Sequence, residues 1–520
     1  MNLLGMVYFF HFLWAVPVLF FSKATRGSDI SRFEVNSLPG SPSLPTSWAG
    51  RLPVPGTQKG NNLFFWLFKT EDVAYDDDLI IWFNGGPGCS SLIGMTTGNG
   101  PLSFVGNSTD LALNPYSWTK LGHVLYVDQP VGTGFSTAST PYPAENNADV
   151  TTHFTQWLQS FLDLFPYLKS KNIHLMGESY AGIYIPYIAS ALLENTNPLS
   201  LNIKSISLGD GSWGNAAAMA DVAMGTYLHI QAHHLRIPKS ILSAFITADN
   251  FCGFTETLKK AQEYPPGSKF RIPGNPENMN YRRDLRRHPR RDLTTAGDGS
   301  CNINPINASG ILDSVLNSTC YGPCATFSTA MDYLTTTSAL GTGPPCYDVY
   351  DIFHNCSTID SLPLLGEYFS QKDVQKALHV EESGPYSACN STILGTLLGA
   401  TSPVPPAYNL LPTLVTKHNL SLHIYNGKWD MLLNHIGTEL SIQNMTWRGG
   451  QGFTERPHRL FFADNAAPAD GSSCRAGAGV WAAERGVSYH LFDGAGHSVF
   501  ASKPREMFSF VRDVVVGRRA

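Results

Sequence analysis

Charge is scarce in this chain of 520 residues: 15% are Asp, Glu, Lys or Arg, against 43% hydrophobic. A net charge of −5 leaves no global basic bias of the kind that grips nucleic acid. There is no H-E-x-x-H, no paired C-x-x-C and no P-loop, so the sequence supports neither a metal nor a nucleotide cofactor. Internal repeats are absent. Long apolar runs are confined to Leu3–Phe21, which contains no Asp, Glu, Lys or Arg. Ser22, Lys23 and Ala24 follow, with small residues at the two positions a signal peptidase reads. A bilayer span is the alternative, since nineteen residues are long enough to cross. Pro17 and the terminal triplet favour a cleaved signal over residues 1–24, leaving no membrane segment in the mature chain. The C-terminus carries neither a retention tetrapeptide nor a lipid-anchor tail.

What is present agrees with export. Seven N-x-[ST] acceptor sequences occur, at Asn107, Asn307, Asn317, Asn355, Asn390, Asn419 and Asn444. Nine cysteines suit disulfides in an oxidising compartment, and the odd number leaves one over, for which isolated Cys474 is the candidate.

Short apolar, β-rich runs alternate with helical patterns: Leu79–Gly86, His123–Pro130, Asn172–Ser179, Ile203–Gly211, Leu420–Asp430 and Val487–His497. Such runs predict a mainly parallel sheet covered on both faces. Between Trp213 and about Thr401 the alternation fades, and seven of the nine cysteines lie there. The expected organisation is a core from 25–212 and 402–520, interrupted by a disulfide-stapled insertion over 213–401 that caps the sheet. Six arginines crowd into Tyr281–Asp292, which reads as part of a mobile solvated loop over 265–300. Trimming at the arginine pairs is the lesser alternative.

Two motifs fail on inspection. Gly209–Gly214 matches G-x-G-x-x-G after a strand, but no following strand ends in the acid a dinucleotide site needs. His233 and His234 are adjacent and point apart on a helix, so they make poor co-ligands.

The productive constellation begins at Ile173–Pro186, IHLMGESYAGIYIP. A strand, a sharp turn carrying Ser179 between small residues, then a helix describe a nucleophile elbow. The helix sets Ile183, Tyr187 and Ala191 on one stripe. At the end of an earlier strand, WFNGGPGCSS (Trp82–Ser91) supplies a glycine-rich loop whose N–H groups can approach an oxyanion. Gly86 and Tyr180 are the expected donors. The acid and base should follow after late strands, in the order Asp then His. Asp430 and His497 occupy those places. His497 would take the Ser179 proton while Asp430 orients and stabilises its ring.

With these residues in hand, the chain resembles the serine carboxypeptidases, an α/β-hydrolase branch that removes single residues from peptide C-termini. The matches are NGGPGCSS (Asn84–Ser91), NPYSW (Asn114–Trp118), VDQPVGTGFS (Val127–Ser136), GESYAGIYIP (Gly177–Pro186), NGKWDMLLN (Asn426–Asn434) and GAGH (Gly494–His497), in order along nearly the whole mature chain. The resemblance implies an acyl-enzyme route, no cofactor, peptide or protein C-termini as substrate, an acidic working pH, and a secreted or vacuole-like destination. It also implies a disulfide Cys89–Cys389. Its answer to the acid beside the nucleophile is that Glu178, protonated, binds the substrate carboxylate together with Asn84 and the Gly85 N–H. An acyltransferase on the same scaffold and a non-catalytic stabilising partner are the alternatives.

The sequence departs from the family pattern in two places. Gly98 stands where a second Glu usually shares a proton with the first, with Thr97 and Asn99 as the polar neighbours that could substitute. After His497, Ser498 and Phe500 replace a frequent Met and Pro. The expectation is a weaker preference for free C-termini and a shifted pH profile.

Overall fold

The computed structural model describes residues 30–194, 199–273, 308–316, 324–336, 347–354, 362–400, 404–463 and 477–517. The expected signal segment, Tyr281–Asp292, Asn307, Asn317, Asn355 and Cys474 lie outside them. Among the described residues, no helix is long and apolar enough to cross a membrane.

All six apolar runs are strands of one ten-stranded sheet. In chain order the strands are β1 (Ser47–Pro53), β2 (Asn62–Phe68), β3 (Asp78–Phe83), β4 (His123–Asp128), β5 (Asn172–Glu178), β6 (Asn202–Gly209), β7 (Ser421–Gly427), β8 (Arg459–Phe461), β9 (Gly479–Glu484) and β10 (Val487–Phe492). Across the sheet they run β1-β2-β4-β3-β5-β6-β7-β10-β9-β8. The six from β4 to β10 are mutually parallel, and the outer pairs on each side are antiparallel. This is the α/β-hydrolase architecture expected from the motifs, with antiparallel edge strands that the sequence pattern did not single out.

Alternation along each strand fills two apolar layers. Leu79, Ile81, Phe83, Leu125, Val127 and Leu175 face the layer holding Phe154, Trp157, Phe161, Tyr184 and Ile188. Those partners lie on helices α1 (Asn147–Leu164) and α2 (Ala181–Leu193). Ile80, Trp82, Val124, Tyr126 and Met176 face the opposite layer with Phe500 and Phe510. On α2 the stripe Ile183–Tyr187–Ala191 is the half-buried side. The face packed on the sheet is Tyr184, Ile185, Ile188, Ala189 and Leu192.

Between β6 and β7 the described residues form helices, and the two strands pair directly beneath them. Helices over Asp221–Ile230, Lys239–Phe251, Ala308–Leu316 and Thr326–Thr336 build an apolar cluster of their own, joined to the sheet loops through Met431. Cys252–Cys324 ties that unit together. From Leu365 onward the chain already packs into the sheet layers, with Phe369, Tyr386, Ile393 and Leu397 among the core residues.

The loop after β3 is clamped by its neighbour β4. Asp128, the last residue of β4, accepts from Ser90 Oγ (2.5 Å) and the Ser91 N–H (3.0 Å) on Oδ1, and from the Phe135 N–H (2.9 Å) on Oδ2. Burial pushes its carboxyl up to about 6, against the pull of those donors. Cys89–Cys389 pins the same loop from outside, with Ser90 N–H donating to Ala388 O and Asn390 N–H to Gly88 O. Asp128→Ala strands three buried donors, and should lower unfolding free energy by about 2–4 kcal/mol in urea titrations. A loss below about 1 kcal/mol would mean the disulfide alone holds the loop.

Candidate active site

Ser179 is the first residue beyond β5 and adopts φ +60°, a left-handed conformation that costs a side-chain-bearing residue roughly 1–2 kcal/mol. The surroundings over-determine it. Its N–H donates to Gly209 O (2.9 Å), and its carbonyl accepts from Gly182 N–H (2.9 Å) and Ser212 N–H (3.0 Å). A Cβ at Gly177 would lie 2.4 Å from Phe83 O, and one at Gly182 would lie 2.8 Å from Ser212 N. Only a residue without a Cβ fits at either flank.

The glycine-rich loop leaves β3 directly beside this turn, because Phe83 of β3 pairs with Gly177 of β5. A Cβ on Gly85 would fall 2.5 Å from Tyr180 N and 2.6 Å from Ser179 Cβ. Gly86 follows at φ +105°. Among the described residues, neither the Gly86 N–H nor the Tyr180 N–H donates to a protein acceptor. Two unpaired amide hydrogens beside the hydroxyl-bearing turn are what a developing oxyanion requires.

Asp430 and His497 meet across the loops that follow β7 and β10. His497 Nδ1 lies 2.8 Å from Asp430 Oδ2. Asp430 Oδ1 accepts from the N–H groups of Leu432 (2.8 Å) and Leu433 (3.3 Å), so its orientation is fixed. His497 donates its backbone N–H to Tyr350 O (2.7 Å), and the Tyr350 ring stands edge-on to the imidazole at 5.1 Å. Burial opposes charge on this imidazole, but Asp430, followed by Glu178, outweighs it and the net shift is upward. Among the described residues, no hydrogen bond joins Ser179 Oγ to His497.

A second acid touches the pair, and the sequence reading passed over it as part of a glycine turn. Asp210, fully buried, has a carboxylate oxygen within 4.8 Å of its counterparts on Asp430 and His497. Two buried carboxylates at that distance cannot both be charged. Asp430 has the imidazole and two backbone donors, whereas Asp210 Oδ1 takes Asn426 Nδ2 and the Gly427 N–H, both at 3.0 Å. Asp430 thus has three donors against two on Asp210, whose Gly427 N–H also lies 3.3 Å from Oδ2, and this favours the proton on Asp210. The Asp210 carboxyl is held well above the usual range by burial first and Asp430 second.

The residues expected to receive a carboxylate also converge. Asn84 Nδ2 donates to Glu178 Oε1 (2.8 Å), and its amide is oriented by Trp82 Nε1 (2.7 Å) and Gly94 N–H (3.1 Å) donating to Oδ1. Glu178 is 5% exposed. Burial raises its carboxyl to about 7, the His497 charge and Ser498 hydrogen bond pulling the other way. Neither suggested substitute for the second acid reaches it. Thr97 Oγ1 donates to Ile93 O (2.8 Å), and Asn99 is buried beside Gly94 with neither amide atom hydrogen-bonded. The hydroxyl that does reach Glu178 is Ser498, at 3.1 Å from Oε2 and 3.3 Å from Oε1.

The remaining expectations divide. Asn107 and Asn419 are exposed and Asn390 half-buried. Asn444 is buried, accepting from the Phe270 N–H on Oδ1 (3.1 Å) and donating Nδ2 to Phe270 O (3.0 Å). Of the four acceptor sequons among the described residues, Asn444 is thus the one whose side chain is engaged in the interior.

Residues 39–517 match the sequence model of the serine carboxypeptidase family. The chain is 45% identical over 502 residues to a carboxypeptidase Y homolog of Arthroderma benhamiae, covering 95% of this chain and 96% of that one. It is 28% identical to the pheromone-processing carboxypeptidase kex1 of Aspergillus fumigatus, covering 95% of this chain and 69% of that protein. Among solved structures, the prohormone-processing carboxypeptidase Kex1(delta)p of Saccharomyces cerevisiae superposes with a TM-score of 0.67 at 22% identity, over 93% and 95% of the two chains, a likeness of fold.

The neutral assignment of Asp210 has a direct test. Asp210→Asn preserves a donor toward Asp430 and should keep kcat within about threefold, while Asp210→Ala should lose roughly tenfold or more. Equal losses in both variants would show that the Asp210 negative charge, rather than its proton, is what the site uses.

Proposed function

The chain belongs to the serine carboxypeptidase family and is a serine-type carboxypeptidase, and from that premise we propose that Ser179, His497 and Asp430 release single C-terminal residues from peptides through an acyl-enzyme. The observation that carries this reading is the His497–Asp430 bond of 2.8 Å opening onto the same few residues as the strained Ser179 turn and the unpaired Gly86 and Tyr180 amides.

In this reading the substrate's terminal carboxylate is held by the second Asn84 Nδ2 hydrogen, the Gly85 N–H and neutral Glu178. The scissile carbonyl then projects between Gly86 and Tyr180. His497 removes the Ser179 proton as Oγ attacks, the tetrahedral oxyanion accepts hydrogen bonds from the two amide N–H groups, and the same imidazole gives the proton to the leaving amine. Water, activated again by His497, hydrolyses the ester. Asp430 carries the negative charge that the imidazolium needs, and neutral Asp210 prevents a second one from accumulating.

The pH dependence follows from two groups. The productive free enzyme has Glu178 protonated and His497 neutral. Activity on free C-termini is present below the Glu178 transition and is lost as pH rises through about 7. The acid limb belongs to protonation of His497. Because the His497 shift is also upward, that window is narrow and lies close to the Glu178 transition; passage through the secretory pathway is supported separately by the apolar N-terminal segment and the acceptor sequons.

Incubation with a peptide ladder should show sequential one-residue losses by mass spectrometry. Glu178→Ala should lower the ratio of kcat/KM between a peptide acid and its C-terminal amide by roughly tenfold or more, because the neutral donor is gone. Internal cleavage products, or an unchanged ratio, would overturn the reading. Transfer of the acyl group to added alcohol in preference to water would identify an acyltransferase instead.

A further inference from the structure

The two departures from the family pattern, Gly98 and Ser498–Phe500, prove to be one place. A Cβ at Gly98 would lie 2.5 Å from Phe500 O and 2.9 Å from Phe500 C. The short helix Val499–Ser502 thus rests its backbone where a side chain at position 98 would begin. Phe500 is fully buried, edge-on to Trp82 at 5.1 Å, and Asn114 Nδ2 donates to Gly98 O (2.8 Å), so both partners of the contact are fixed. No acid can project from residue 98 toward Glu178 while this packing stands. The residue leading into the helix, Ser498, instead aims its hydroxyl at the carboxyl.

Resting on the assignment of Glu178 as receiver of the substrate carboxylate, we propose that Ser498 is the specificity-determining partner of Glu178: its hydroxyl, standing where a second acid is excluded, decides over what pH range Glu178 can donate to a free C-terminus.

A hydroxyl serves both states of the acid, as a carboxylate cannot. Oε1 already accepts from Asn84, so the proton of neutral Glu178 sits on Oε2, the oxygen nearer Ser498 Oγ. There it donates to Oγ in the empty site and turns to the incoming carboxylate when substrate binds. After ionisation the Ser498 O–H donates to Oε2 and stabilises the charge. A second acid would hold a proton on the pair by like-charge repulsion, whereas Ser498 favours the proton's departure. The groups facing Glu178 are His497 after β10, Asp430 after β7 and Tyr425 on β7, with Asn84 after β3 uncharged. Of these, protonated His497 and the Asn84 donor also favour the ionised acid, and both are unchanged by a substitution at Ser498. Discrimination for free C-termini should therefore be strong at acid pH and fade near neutrality.

The test compares kcat/KM against pH for a peptide acid and its C-terminal amide, in the full chain and in Ser498→Ala, Ser498→Thr and Glu178→Ala. Loss of the hydroxyl should move the alkaline limb on the peptide acid upward by about one pH unit. Ser498→Thr, which keeps the hydroxyl, should return it, a rescue that a purely structural role would not produce. The limb should be missing from the amide profile in every form. An unmoved limb in Ser498→Ala, with the acid/amide ratio still collapsing in Glu178→Ala, would overturn the role of Ser498 while leaving that of Glu178 intact. A ratio unchanged in Glu178→Ala would overturn the carboxylate assignment itself.

Discussion

Strands β3 and β5 run side by side and end level, with Phe83 opposite Gly177, so the loops leaving them compete for the same few ångströms at the carboxyl edge of the sheet. One loop must turn into helix α2 through Ser179 at positive φ, and the other must pass without any side chain between Gly85 and Tyr180 N. Nearly everything at the site follows from that crowding. Gly177 and Gly182 are bare because backbone lies within 3 Å of where a Cβ would stand. Asp128 and Cys89–Cys389 anchor the glycine loop from two sides and take up the Ser90 and Ser91 side of it, while the Gly86 amide hydrogen stays unpaired. Pre-oriented donors of this sort stabilise charge without reorganising when it forms.

A second constraint is the handling of negative charge in a dry place. Glu178, Asp210 and Asp430 are all buried around one imidazole, and three carboxylates there would repel one another and the oxyanion alike. Hydrogen-bond donors sort them. Asp430 has a ring nitrogen and two backbone N–H groups and carries the charge; Asp210 retains its proton; Glu178 sits between, its carboxyl raised to about 7 and therefore switchable in the physiological range. In the proposed route, an acid next to Ser179 is tolerable because it is neutral when Oγ attacks.

Much of this was legible in the amino-acid string, for a physical reason. Parallel strands buried on both faces must be continuously apolar, so β3, β4, β5, β6, β7 and β10 announced themselves, and strained turns demand the glycines that mark the elbow and the loop. The antiparallel edge strands were not singled out: β8 has three residues and β9 is partly exposed, whereas β2 is a buried apolar run that the same pattern could have found. Residues whose meaning depends on a distant partner were misjudged. Asp210 read as one more polar residue in a glycine turn until β7 brought Asp430 against it. Thr97 and Asn99 were plausible stand-ins by proximity in sequence, yet their side chains turn elsewhere. Gly98 and Ser498 looked like separate departures because 400 positions divide them.

Reactivity at one hydroxyl is the point on which the account stands, and covalent labelling with a fluorophosphonate reads it out. A single adduct is expected, mapped by peptide mass spectrometry to Ser179, and strongly slowed when His497 is replaced by alanine. Labelling at another serine, or none at all in folded protein, would contradict it.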